Sequence, residues 1–170
     1  MKRCFMIIVF LLMPFGASAG QIDGVSVNSK APEFTLQDQY DKTFSLGQFT
    51  GRIVVLVASD REGRVQNPAW KRNLKERYGD RITVRGVADV SSAPFFMKGT
   101  IREIMRKEGE SILMDWKGEV FKAYALKPKV SNIVLINGSG VIAFLHAGPA
   151  DTDALQELVT AIDRALREAR

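Results

Sequence analysis

The chain of 170 residues is 46% hydrophobic and 25% charged, with a formal net charge of +5 and a single cysteine. This composition is typical of one globular domain and argues against a disordered, collagen-like or disulfide-stapled protein. A folded domain of this length buries roughly 70% of the surface of its unfolded chain, so its core needs no metal or crosslink.

The N-terminal segment has the pattern of a secretory signal peptide. Lys2 and Arg3 precede an apolar run at 5–15, and Ala-Ser-Ala at 17–19 is the small-residue pattern of a cleavage site. The apolar run is shorter than the roughly 20 residues of a membrane-spanning helix. We therefore expect cleavage before Gly20 and a periplasmic or secreted protein with no membrane span. An uncleaved N-terminal anchor is the alternative.

Cleavage of residues 1–19 would change both the charge and the chemistry of the chain. Cys4 lies in the removed segment, so the mature chain would contain no thiol. It would keep 22 basic and 19 acidic residues, a net charge of +3, with the basic residues scattered along the sequence. Nucleic-acid binding requires clustered cations, so we expect no nucleic-acid partner. We divide the mature chain into a short extension at 20–30 and one domain at 31–170.

The first elements of this domain are predicted to be strands. Short β-like segments at 34–36 and 43–46 flank a turn at 38–41, which predicts an N-terminal β-hairpin. The apolar run at 53–58 is rich in β-branched residues and predicts a strand that is buried on both faces.

A helix should follow, with Asn67 as its cap, Pro68 in its first turn and Gly79 at its end. Its apolar side chains recur every four residues and should be core: Trp70, Leu74 and Tyr78. Strands are predicted over 81–90 and 111–114. Between them we expect a helix that begins near Pro94 and turns four side chains inward: Phe95, Ile101, Ile104 and Met105.

The last third predicts a hairpin and a helix. Strand-like segments at 132–136 and 141–145 flank a turn at 137–140, and the final helix is capped by Asp151 or Thr152. Strands that alternate with helices imply parallel crossovers, whereas the late hairpin adds antiparallel pairs. The predicted fold class is α/β, a three-layer α/β/α sandwich with a mixed central sheet.

Several sequence phrases occur in the order found in a known family. They are APEFTL at 31–36, KTFSL at 42–46, FTGRIVVL at 49–56, ILMDWKGEVFKAY at 112–124 and VLIN at 134–137. Together they resemble the redoxin or peroxiredoxin-like branch of the thioredoxin-like superfamily. The chain also resembles a periplasmic, cysteine-free subset of that superfamily, the YtfJ-like proteins.

The resemblance implies a thioredoxin-like fold with a reactive cysteine in the loop after the first buried strand. That loop reads SDREGRVQN at 59–67, and Gly63 and Gln66 stand at the degenerate active-site positions. The family's cis-proline is also absent, because Val-Ser-Asn stands at 130–132. Without a thiolate there is no nucleophile for thiol–disulfide exchange or thiol peroxidase chemistry. We expect no thiol-based activity, and other enzymatic activity stays open.

Charged and polar residues in loops at one sheet edge are candidates for a ligand or partner site, because open α/β sheets bind ligands at the carboxyl ends of their strands. The candidates are Asp60, Arg61, Glu62, Arg64, Asp89, Ser131 and Asn132. The alternative is a solvated loop with internal ion pairs. Four carboxylates could supply oxygens to a hard cation, although their spacing is not that of an EF-hand: Asp60, Glu62, Asp89 and Asp115. We expect neither a cofactor nor a metal.

Three other features have a structural and a functional interpretation. His146 is interpreted as a surface or edge residue instead of a catalyst. The sequence at 138–143 fits the dinucleotide pattern G-x-G-x-x-A, but a strand-like segment follows where that motif requires a helix. The segment at 91–99 is either a helix start packed on the sheet or an exposed apolar lip that grips a partner.

These observations lead to one functional hypothesis with two alternatives. The favoured hypothesis is an exported binding or scaffolding module whose partner is a protein or a small polar ligand. The first alternative is an enzyme derived from a redoxin that uses Asp60, Arg61 or Glu62 on a small polar substrate. The second is an antioxidant or thiol oxidoreductase by family label only, and it would need a partner to supply the thiol.

Overall fold

The computed structural model describes residues 25–169, so the predicted signal peptide and its cleavage site lie outside the described residues. The strands are β1 (Thr35–Asp38), β2 (Thr43–Ser45), β3 (Val54–Ser59), β4 (Thr83–Asp89), β5 (Ile112–Asp115), β6 (Asn132–Ile136) and β7 (Ile142–Ala147). The α-helices are α1 (Asn67–Tyr78), α2 (Lys98–Arg106), α3 (Glu119–Ala123) and α4 (Thr152–Glu168). A short 3₁₀ turn, Gly63–Gln66, leads directly into α1.

The strands form one mixed sheet in the order β2-β1-β5-β4-β3-β6-β7. β3, β4 and β5 are parallel, whereas β1 and β2 on one side and β6 and β7 on the other pair antiparallel. The predicted α/β class and mixed sheet are confirmed. The turn at 137–140 joins β6 to β7 as predicted.

β3 lies at the centre of the molecule because all six of its residues are buried. Val54, Leu56 and Ala58 face one core cluster, which also contains aromatic side chains of the N-terminal strands and of α3. Val55 and Val57 face a second cluster, which contains the apolar stripes of α1 and α4. The alternation along one strand therefore places helices on both faces of the sheet.

The helix α1 supplies part of the second cluster. Trp70, Leu74 and Tyr78 are buried as predicted. The Trp70 indole nitrogen donates to the carbonyl oxygen of Gly148 at 3.1 Å, which satisfies its only polar atom. Burial of a large apolar side chain is worth about 1.5–3 kcal/mol, so this stripe holds α1 firmly and fixes the start of the helix relative to β3.

The topology brings four loops to one edge of the sheet. β3, β4 and β5 run in parallel and end there, and Ala58 of β3 is paired with Asn132, the first residue of antiparallel β6. We call this the loop edge. It consists of the segments 60–66, 90–97, 116–118 and 125–131.

The predicted helix after Pro94 is wrong in its start and in its burial. α2 begins only at Lys98, Phe95 is 83% exposed and Ile104 is 47% exposed. No residue of α2 is fully buried, and polar contacts connect the helix to the N-terminal strands. Arg102 forms an ion pair with Asp41 at 2.8 Å, and other α2 contacts reach the same turn between β1 and β2.

Two further local details differ from the prediction. Asn67 is the first residue of α1 and its side chain does not cap the helix. The short helix α3 was not predicted, since it has only five residues. Asp151 does cap α4, because its carboxylate accepts the Ala154 N–H at 2.9 Å. Within residues 25–169, no helix combines the length and the hydropathy that a membrane crossing requires.

Candidate functional site

Asp60 joins two loops of the loop edge. One carboxylate oxygen accepts the N–H of Gly63 at 2.8 Å, and the other accepts the N–H of Lys129 at 2.7 Å. Hydrogen bonds to a charged acceptor are worth about 1.5–3 kcal/mol each. Asp60 therefore fixes the 3₁₀ turn before α1 against the loop before β6, and each of its oxygens already has a donor.

A second set of bonds crosses the same gap. The Gln66 side-chain oxygen accepts the Ser131 N–H at 3.0 Å. The Ser131 hydroxyl donates to the Asn67 side-chain oxygen at 2.7 Å. The Asn67 amide in turn donates to the Ser59 hydroxyl at 2.8 Å. Asn67 thus connects the end of β3 to the loop before β6, which explains why its side chain does not cap α1.

Gly63 packs directly on the backbone of Val130. A Cβ atom built at Gly63 would lie 2.7 Å from the Val130 nitrogen and closer still to its carbonyl group. Such separations are far below ordinary carbon contact distances of about 3.5–4.0 Å. The position therefore has no space for any side chain, including the CH₂–SH of a cysteine.

Asn132 closes the inner side of this arrangement. It is 2% exposed, and its side-chain oxygen accepts the Lys127 N–H at 2.8 Å. Its amide group donates to the carbonyl oxygens of Lys127 at 2.8 Å and Val130 at 3.2 Å. The side chain thus replaces missing backbone pairs within the loop and is structural in this geometry.

The structure brings together only some of the predicted candidates. Asp60, Ser131 and Asn132 belong to the connected network, with Gly63 and Gln66 beside them. The carboxylate of Asp89 lies in a separate turn, where it accepts the Ser91 N–H at 2.9 Å.

The remaining candidates lie on the outer surface. Glu62 pairs with Lys129 at 3.5 Å, and Arg64 pairs with Glu108 at 3.7 Å. Arg61 is exposed and has no acidic partner among the described residues. Exposed pairs of this kind contribute at most about 1 kcal/mol. These charges therefore shape the field of the loop edge more than its stability.

Three of the four carboxylates considered as cation ligands accept backbone N–H groups instead. Asp115 is fully buried and accepts the N–H groups of Glu119, Val120 and Phe121, at 2.9, 2.9 and 3.1 Å. It therefore stabilises the start of α3, as expected for an acid at a helix N-terminus. Over residues 25–169, no three His, Cys, Asp or Glu side chains come together in a metal-holding group.

Apolar side chains are exposed on the loop edge. Phe95 and Phe96 are 83% and 81% exposed, and Val65, just before α1, is 77% exposed. Phe95 and Phe96 are the lip that one interpretation of residues 91–99 proposed. Val65 was missed, because a single valine between Arg64 and Gln66 carries no sequence signal.

Lys98 and Trp116 border this apolar surface. The Lys98 ammonium nitrogen lies 5.2 Å from the ring centroids of both Phe95 and Trp116. Such cation–π contacts are worth about 0.5–1 kcal/mol at exposed sites. A positive charge is therefore held directly beside the exposed rings.

The other sequence features have structural explanations. His146 lies on β7, with its ring 5.4 Å from that of Trp70 and stacked against Phe144. The Asn137 side chain accepts the N–H groups of Ser139 and Val141, and strand β7 follows, so the dinucleotide pattern is a turn. A cavity of about 430 Å³ lies between α1 and α4, and none of the candidate residues lines it.

Comparison with known proteins gives structural neighbours only. No family model matches the chain, and no curated protein matches it. A candidate protein disulfide isomerase from Bacteroides thetaiotaomicron is 19% identical, with a TM-score of 0.65 over 84% of this chain and 91% of that chain. A candidate thiol:disulfide interchange protein DsbE from Chlorobium tepidum is 22% identical, with a TM-score of 0.65 over 84% and 99%. The exposed lipoprotein thioredoxin of Streptococcus pneumoniae is 16% identical, with a TM-score of 0.61 over 76% and 98%.

The chain has the thioredoxin-like fold. The neighbours are named for thiol chemistry, whereas this chain has one cysteine, Cys4, and that residue lies outside the described residues. The fold therefore comes without a thiol at its loop edge, where internal hydrogen bonds and exposed apolar side chains lie next to each other.

Proposed function

We propose that the chain is an exported, cysteine-free thioredoxin-like binding module that holds a partner protein at its loop edge. We place it with the periplasmic YtfJ-like proteins that its sequence resembles. One observation carries the proposal: Phe95, Phe96 and Val65 are exposed beside a polar network whose hydrogen bonds are made internally. Large apolar side chains exposed together on a protein surface mark interaction sites.

The energetics favour a role in association. Full burial of a phenylalanine is worth about 1.5–3 kcal/mol, so Phe95 and Phe96 could supply several kcal/mol of driving force to a complex. Aromatic residues are also the usual energetic centres of interfaces. In the isolated chain both side chains are exposed, so neither contributes to its own core.

An enzyme with thiol chemistry is poorly supported by the same geometry. Gly63 has no space for a side chain, and the only cysteine would leave with the signal peptide. A non-thiol enzyme based on Asp60 is also disfavoured, because each of its carboxylate oxygens accepts a backbone N–H. The alternative enzyme would need Asp60 to exchange these bonds for a substrate.

Photo-crosslinking in cells that express the full chain tests the proposal. A photoreactive phenylalanine analogue replaces Phe96 in one variant, Val65 in a second and Glu157 on α4 in a control. We expect an adduct of the same mass at positions 96 and 65 and none at 157. The proposal fails if no adduct forms at 96, or if all three positions give the same adducts.

The purified protein should also be inactive in thiol assays. Insulin reduction and peroxide consumption are expected at background, in the presence and absence of a metal chelator. Activity above background would support the thiol oxidoreductase alternative instead.

A further inference from the structure

The loop edge and the residues directly beside it carry both acidic and basic side chains, and most of the acidic ones turn toward the backbone. The carboxylates that end β3, β4 and β5, or directly follow them, turn toward the backbone and accept N–H groups. These are Asp60, Asp89 and Asp115. A carboxylate that accepts backbone N–H groups keeps its charge, but the oxygens so used are less free to pair with a side-chain cation.

The basic side chains of the same loops are exposed, and the half-buried Lys98 follows directly at the start of α2. Together these are Arg61, Arg64, Lys98, Lys117, Lys127 and Lys129. Two exposed acids lie among them: Glu62 pairs with Lys129 at 3.5 Å, and Glu119 pairs with Lys117 at 3.4 Å. Arg61, Lys98 and Lys127 have no carboxylate partner within the described part of the chain.

Positive charge and apolar side chains occur together on the loop edge. Lys98 lies against Phe95 and Trp116, each at 5.2 Å from ring centroid to nitrogen. Arg61 and Val65 both belong to the loop that leads into α1. A partner that covers Phe95 must therefore also meet the ammonium group of Lys98.

We propose that the occupant of this surface is an acidic segment of a partner protein that carries at least one large apolar side chain. The inference rests on the proposed function and adds the chemistry of the partner. Carboxylates of the segment would neutralise Arg61, Lys98 and Lys127, while its apolar side chain packs on Phe95 and Phe96. Charge complementarity of this kind steers association and selects partners.

An anionic lipid surface is a less suitable occupant. Glu62 and Glu119 lie on the same surface as the cations. A continuous layer of phosphate groups would face these carboxylates, whereas a short protein segment can place its acids beside the unpaired cations only. The structure thus favours a discrete acidic segment.

Selection from a random peptide library tests this chemistry and does not require the natural partner. Phage-displayed random dodecapeptides are panned on the exported protein, purified from cells that express the full chain. The Phe95→Ser/Phe96→Ser variant serves for counter-selection. We expect the enriched peptides to have a net negative charge and at least one aromatic or large aliphatic residue.

A selected peptide then gives the charge dependence directly. Its affinity should fall about tenfold in Lys98→Gln/Lys127→Gln and should weaken as salt rises. Arg164→Gln is the matched control, because Arg164 is an exposed cation on α4. This variant should bind the peptide with the affinity of the wild type. Circular dichroism confirms that each variant folds.

Other outcomes overturn the inference. It fails if enriched peptides are neutral or basic, if none is enriched over the counter-selection, or if Arg164→Gln weakens binding as much as the lysine variant. Sedimentation of the protein with phosphatidylglycerol vesicles, without peptide enrichment, would assign the surface to lipid. If photo-crosslinking captures a partner through a neutral or basic segment, this inference fails while the proposed function stands.

Discussion

Replacing Gly63 with alanine probes its close contact with the backbone of Val130. The added Cβ would lie 2.7 Å from the Val130 nitrogen and closer to its carbonyl carbon and oxygen. The neighbour is backbone that is held by its own hydrogen bonds, because the Val130 carbonyl accepts from Asn132 and the next N–H, of Ser131, donates to Gln66. It cannot rotate away as a side chain would.

Overpacking in a tight site costs about 1–3 kcal/mol, and a backbone neighbour places this case at the upper end, near 3 kcal/mol. For a domain of this size each kcal/mol lowers Tm by about 2–4 °C. Gly63→Ala should therefore unfold roughly 6–12 °C below the wild type. Thermal and urea unfolding, followed by circular dichroism, measure the change.

Gly99→Ala is the matched control. Gly99 lies in the first turn of α2 with nothing within 4 Å of a built Cβ. Alanine there should be neutral or stabilising by up to about 1 kcal/mol, because glycine is a poor helix former. If the free energies of unfolding of Gly63→Ala and Gly99→Ala agree within about 0.5 kcal/mol, position 63 is not closed to side chains.

Buried groups and the exposed rings give three more tests. Asn132→Ala should cost about 2–4 kcal/mol in urea unfolding, since it leaves buried backbone groups without partners, whereas the half-buried Asn73, changed to alanine, should cost under about 1 kcal/mol. Burial, helped by a hydrogen bond to Asp163, raises the pKa of Tyr78 from 10.0 to about 12. The protonated Tyr78 hydroxyl stabilises the fold below pH 10, and this effect is lost as pH rises through 12. The urea midpoint of the wild type should therefore fall more between pH 10 and pH 12 than the urea midpoint of Tyr78→Phe. Equal falls of the two midpoints would contradict this. Phe95→Ser/Phe96→Ser should leave Tm unchanged within about 2 °C, because both rings are exposed, and a larger loss would mean that the rings pack on the domain.

The fold was predictable from the sequence where one pattern dominates. The continuous apolar run of β3 and the apolar stripe of α1 can avoid water only by burial, so the positions of both elements were clear. α3 escaped because its start depends on Asp115, a residue that also ends a strand. Phe95 was predicted to face the core because apolar side chains usually do. In the structure Arg102 connects α2 to Asp41 by an ion pair, and Phe95 is exposed.

The candidate site was predictable only in its location. Strand order follows from alternating elements, so the edge where the loops meet could be inferred. The direction of each side chain could not, because Asp60 and Arg61 are equally plausible ligands in a sequence. In the folded chain the Asp60 carboxylate faces backbone donors. The closeness of Gly63 to Val130 likewise depends on a contact between residues far apart in the chain.

The proposed function requires that the loop edge binds a partner protein through apolar contact and without a thiol. Titration calorimetry of the partner captured by photo-crosslinking tests it most directly, with wild type, Cys4→Ser and Phe95→Ser/Phe96→Ser. We expect equal affinity for the wild type and Cys4→Ser, with or without a reductant, and at least roughly tenfold weaker binding for the double variant. Loss of binding in Cys4→Ser or on reduction, or full affinity of the double variant, would contradict it.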